Sequence, residues 1–87
     1  MKQNLYRART RTKKTMAQTF LELSDTDKDA FRSNLLDIGI MIAFKRPYVP
    51  YLKEISKKAN GELKALYEAL SKLNTQGIDK VLSIYVN

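Results

Sequence analysis

The chain has 87 residues and a mass of 10.0 kDa, with sixteen Lys and Arg against nine Asp and Glu (formal charge +7) and no Cys, His or Trp. Without Cys there is no disulfide framework, thiolate zinc site or thiol nucleophile, and without His no imidazole metal site or His-based triad, so neither an enzyme nor a metal or cofactor protein is expected. A single domain of this length buries only roughly 60–65% of the surface its unfolded chain exposes, so a partner or a homodimer would help it to fold.

Residues 1–14 carry Lys2, Arg7, Arg9, Arg11, Lys13 and Lys14 and no acid. Residues 15–44 hold five acids against two bases, and residues 45–87 eight bases against four acids. Positions 1–14 show no sustained apolar period and read as a basic arm, mobile or ordered on binding, ahead of a single helical domain over 15–87. The arm lacks the apolar stretch of a signal peptide and is only loosely similar to a transit peptide, so a cytoplasmic location is expected. The most apolar run, Leu35 to Phe44, is interrupted by Asp37 and Gly39 and is half the length of a bilayer-spanning helix, so no transmembrane segment is predicted.

From Thr15, the spacing of Met16, Phe20 and Leu23 predicts a short helix, which the helix-tolerant Arg, Lys and Ala of the arm would let run upstream. Ser24-Asp25-Thr26-Asp27 is a helix start, with side-chain oxygens for orphan N–H groups and early carboxylates at the positive end of the dipole. The helix it opens is predicted to reach Phe44 or Lys45. Phe31, Leu35, Ile38 and Ile42 form one stripe, and Leu36, Ile40, Met41 and Phe44 widen it until most of the circumference is apolar. Such a helix belongs at the centre of a bundle or in a dimer core. Pro47-Tyr48-Val49-Pro50 is predicted as an extended link with Pro50 at the first position of the next helix, because the residue before a proline avoids the α region. Tyr51, Leu52 and Ile55 then mark a helix to about Ala59, and Asn60-Gly61 a turn that can adopt positive φ. Leu63, Leu66, Tyr67, Leu70 and Leu73 mark another helix, broken at Asn74-Thr75-Gln76-Gly77. Ile78, Val81, Leu82 and Tyr85 mark a last helix; the β-branched residues up to Val86 permit a strand over 78–86 instead, but the spacing favours helix. The expected fold is all-α, a small bundle of four to five helices.

Asp25-Thr26-Asp27-Lys28-Asp29 matches the opening of an EF-hand loop. Ala30 stands where the bend requires Gly, however, and Leu36 where a bidentate Glu is required, so helix capping explains the cluster. Glu54, Glu62, Glu68 and Asp79 are predicted on solvated faces. Tyr48, Tyr51, Tyr67 and Tyr85 read as core or linker residues, with a stacking platform as the alternative. Pro47-x-x-Pro50 is explained by a helix stop followed by a helix start.

The strongest functional signal is the arm. Extended, it points Arg7, Arg9 and Arg11 the same way, at a repeat suited to phosphates or a minor groove, and Lys13 and Lys14 add to them. A second signal is the stretch from Leu52 to Ser71, with Ser56 in its first helix, a turn at Asn60 and Leu66 inside its second. It resembles the helix-turn-helix module of bacterial regulators. The resemblance implies that Glu62, Lys64 and Ala65 face a major groove, with Lys53, Lys57, Lys58 and Lys64 as its cations. It covers only this quarter of the chain, and Gly61 replaces the usual apolar turn residue; a plain αα-hairpin stands as the other reading. Two functions are therefore expected as alternatives. One is a small basic accessory or regulatory protein of bacterial, phage or plasmid type that binds DNA or RNA, as a homodimer. The other is an inhibitor or immunity-type helical module that binds an acidic protein partner or an anionic membrane surface.

Overall fold

In a computed structural model of the chain, residues 15–86 are described. They form five α-helices, α1 (Met16–Leu21), α2 (Asp25–Ala43), α3 (Val49–Lys58), α4 (Gly61–Ser71) and α5 (Thr75–Tyr85), and no strand occurs among the described residues. The 78–86 segment is thus helical through Tyr85. Asn74 Oδ1 caps it by accepting the Gly77 N–H at 2.8 Å, and Ile78 and Val81, three apart, are both buried. Burial of one apolar face outweighs the strand preference of its β-branched residues.

Side-chain caps also set the starts of α1 and α2. Thr15 and Gln18 form a reciprocal capping box, Gln18 N–H to Thr15 Oγ1 at 3.1 Å and Thr15 N–H to Gln18 Oε1 at 3.0 Å. Thr15 itself has extended backbone, so α1 starts at Met16 and does not run upstream through Thr15 as the sequence suggested. Ser24 Oγ accepts the Asp27 N–H at 3.1 Å, and Asp25 and Asp27 lie in the first turn of α2, so this acidic cluster begins a helix. Each such cap contributes roughly 0.5–2 kcal/mol.

Positive φ occurs just after the end of α2 and at the first residue of α4. Lys45 N–H donates to the Ile42 carbonyl at 3.0 Å and Arg46 N–H to the Met41 carbonyl at 2.8 Å, the paired bonds of a Schellman turn. Lys45 occupies its left-handed position at φ 56°, where glycine is usual. Gly61 has φ 58° at the α3–α4 joint, and a Cβ there would meet nothing within 4 Å, so the demand for glycine is conformational. The 47–50 link is shorter than predicted. Val49 is already helical although Pro50 follows it, and Leu52 N–H closes the first turn on the Tyr48 carbonyl at 2.9 Å. Pro50, at the second helical position, has no N–H to leave unpaired, and burial of Leu52 outweighs the local preference at Val49.

The helices share one apolar core, in which α1 packs on α4, α3 on α4 and α2, and α5 on α2. Gly39 lets Leu82 of α5 approach closely, since a Cβ would come within 3.1 Å of its methyl groups. Phe31 is fully buried at the centre. Its ring lies 5.8 Å from Phe20 of α1, 5.9 Å from Tyr67 of α4 and, edge-on, 5.7 Å from Tyr85 of α5.

Two substitutions test this. Phe31→Ala is expected to lose about 3–5 kcal/mol, enough to unfold most of so small a domain, in urea titrations followed by circular dichroism. Lys45→Gly is expected to raise the urea midpoint, with a gain of about 1 kcal/mol from relief of the left-handed conformation; an unchanged or lower midpoint would refute that strain.

Candidate functional site

The predicted binding residues divide into two groups. Arg7, Arg9, Arg11, Lys13 and Lys14 lie outside the described residues. Lys53, Lys57 and Lys58 are exposed on α3, and Lys64 is half-buried on α4. The placement on α3 follows from its apolar residues: Leu52 and Ala59 are buried and Ile55 half-buried, which leaves Lys53 and Lys57, four apart, on the solvent face. Lys57 and Lys58 also sit in the last turn, where cations oppose the helix dipole. In α4, Leu66 is buried, Ala65 exposed, and Glu62 half-buried. Glu54, Glu68 and Asp79 are exposed, as expected.

The most developed polar arrangement joins α2, α3 and α4. Asn34 Nδ2 donates to the Tyr67 hydroxyl at 2.7 Å. The Tyr51 hydroxyl has Asn34 Oδ1 at 3.0 Å and Asp37 Oδ2 at 2.9 Å, two acceptors for one proton. Burial, the hydrogen bond to Asp37 and its negative charge together push the Tyr51 phenol up from 10.0 to about 12. Burial also raises Tyr67, against the opposing effect of its bond from Asn34. The tyrosines were expected to be core or linker residues, but their pairing with Asn34 and Asp37 was not foreseen. A signal was present: Asn34 lies at the spacing of Phe31, Leu35 and Ile38, a polar residue on a core-facing stripe. At the other end of α2, Arg32 lies 3.6 Å from Asp29, and Arg32 and Lys28 stand 5.1 and 5.8 Å from the Phe20 ring centroid. These contacts are structural.

Beside the tyrosine network the surface is apolar. Leu36, Ile40 and Phe44 of α2 are 47%, 49% and 72% exposed, and Val49 at the start of α3 is 48% exposed. Ile40 and Phe44 form one side of an open groove of about 460 Å³, with Asp37, Met41, Arg46 and Tyr51 completing it. A smaller hollow of about 180 Å³ lies between α2 and the α3–α4 joint, and Asn34, Lys58 and Tyr67 are its polar lining. No three His, Cys, Asp or Glu converge among the described residues, and no helix there is long and apolar enough to cross a membrane.

Comparison of the chain with protein-family models, with curated proteins and with solved structures finds no match. The functional reading therefore rests on the chain's own charge and geometry.

The tyrosine network has a titration signature. Because the folded pKa of Tyr51 exceeds its unfolded value, its contribution to stability is complete below pH 10 and is lost as pH rises towards 12. Asp37→Asn is expected to bring the Tyr51 titration, followed by phenolate absorbance against a Tyr51→Phe control, back down towards 10. A Tyr51 titration unmoved by that change would mean that Asp37 does not act on it.

Proposed function

We propose that the chain is a small basic accessory or regulatory protein that binds nucleic acid through the phosphate backbone, with residues 1–14 as its principal contact. One observation carries this reading. Six of the seven net positive charges lie in fourteen acid-free residues, whereas residues 15–87 hold ten Lys and Arg against nine Asp and Glu. A domain so nearly neutral has little general affinity for a polyanion. A run of closely spaced guanidinium and ammonium groups has a great deal, because each phosphate it neutralises releases condensed counterions. Lys53, Lys57 and Lys58, exposed on one helix, add a second cluster, and Lys64 of α4 borders it in sequence. The resemblance of 52–71 to a helix-turn-helix module agrees with this use of α3 and α4. A protein-binding role is favoured by a different observation, the exposed apolar row of Leu36, Ile40 and Phe44.

The test is salt dependence. Engagement of six phosphates on duplex DNA gives a slope of log K against log salt of about −5. Fluorescence anisotropy with the full chain is expected to show that slope. Replacing Arg7, Arg9, Arg11, Lys13 and Lys14 with Gln should reduce it to about −1, while replacing Lys53, Lys57 and Lys58 should change it by less than about 1. Absence of binding to duplex, single strand and RNA at low salt refutes the proposal, as does a slope indifferent to the arm. Recovery of one acidic protein after nuclease treatment would favour the protein-binding alternative.

A further inference from the structure

The geometry points to a second use of α2: its solvent-facing side is the contact through which two copies of this chain pair, antiparallel, about a two-fold axis at Ile40. This inference does not depend on nucleic-acid binding. Leu36, Ile40 and Phe44 are four residues apart, so their side chains form a single i±4 ridge along α2. They are exposed, although Phe31, Leu35 and Ile38 on the other side are fully buried. Asp37 and Met41 belong to the next ridge of the same helix. The groove of about 460 Å³ is lined by Ile40 and Phe44 of this ridge, by Asp37 and Met41 of the next, by Arg46, and by Tyr51 of α3, so it runs beside the ridge. An i±4 ridge beside a groove is the element that interdigitates in the commonest class of helix packing.

The choice of a second copy over another partner follows from symmetry. A two-fold contact brings a surface against itself, so every feature must find its complement within the same patch. Ridge and groove lie side by side on this face and satisfy this. With the axis at Ile40, Leu36 of one copy meets Phe44 of the other, and the two Ile40 side chains meet at the centre. The charges satisfy it too. Asp37 stands at one end of the groove and Arg46 at the other, and neither forms an ion pair within 4.0 Å among the described residues. Antiparallel pairing sets Asp37 of each copy towards Arg46 of the other. Arg46 reaches the groove because the Schellman turn folds it back, its N–H on the Met41 carbonyl, at the expense of a left-handed Lys45. Parallel pairing would set like charges together at both ends.

Sedimentation equilibrium of the full chain at about 100 μM, which populates any dimer with a Kd below that value, is expected to return twice the 10.0 kDa chain mass. Ile40→Asp should return the chain mass with an unchanged helical spectrum, since Ile40 is outside the core. Arg46→Glu should weaken association by about tenfold or more. Because the chain has no Cys, single cysteines report the arrangement. Ile40→Cys should cross-link to itself on mild oxidation. Phe44→Cys should cross-link to Leu36→Cys in a mixture but not to itself, because the two Phe44 positions lie about 12 Å apart along the helices. A wild-type chain that sediments at 10.0 kDa overturns the inference, as does a dimer that survives Ile40→Asp. Self-cross-linking of Phe44→Cys in preference to Ile40→Cys overturns the antiparallel arrangement.

Discussion

The domain depends on Phe31, whose ring is the common contact of aromatic side chains from α1, α4 and α5. α1 has six residues, far fewer than the roughly 12–15 at which an isolated helix becomes even marginal in water. It persists because Phe20 packs against both Phe31 and Tyr85, the latter 4.7 Å away, with Arg32 and Lys28 near its ring. Offset and edge-on aromatic pairs contribute roughly 0.5–1.5 kcal/mol each beyond their buried area. In a domain with so little interior, several such pairs at one residue carry much of the cohesion.

The tyrosine network plays a complementary part, and Tyr67 joins it to the Phe31 cluster. Aromatic packing is tolerant of rotation and sliding, whereas hydrogen bonds from Asn34 to Tyr67 and from Tyr51 to Asn34 and Asp37 specify how α3 and α4 sit on α2. The network also fixes what lies next to it. Tyr51 and Asp37, held together, form one end of the groove beside Ile40 and Phe44. A polar pin and an apolar row thus share the same helix, one turned towards α3 and the other towards solvent.

Much of the architecture was legible in the chain. The cap at Ser24, the break at Asn74, the stop after Phe44 and the turn at Gly61 each have a local chemical cause, and local causes act alike with or without the rest of the fold. One reading failed where tertiary contact overrode a local preference: Val49 is helical although it precedes a proline, because Leu52 three residues later is buried. The 78–86 segment is helical, as its spacing favoured over its β-branched content, because Ile78 and Val81 have a core to enter. α1 begins at Met16 because a local capping box at Thr15 and Gln18 holds Thr15 in an extended conformation; the upstream continuation over residues 1–14 lies outside the described residues.

By itself the sequence determined that this is an all-α chain without thiol or imidazole chemistry, with its net charge gathered at one end, since composition and periodicity need no neighbours to be read. It also showed that the helix over 25–43 is apolar nearly all round. Only the tertiary structure decided how that excess is divided. Phe31, Leu35 and Ile38 are buried in the core shared with the other helices, while Leu36, Ile40 and Phe44 remain at the surface, because the four shorter helices do not surround the longest one. Periodicity marks a side chain as apolar, but which apolar stripe is covered depends on where the other helices dock. That depends on the ring contacts of Phe31 and the hydrogen bonds of Asn34.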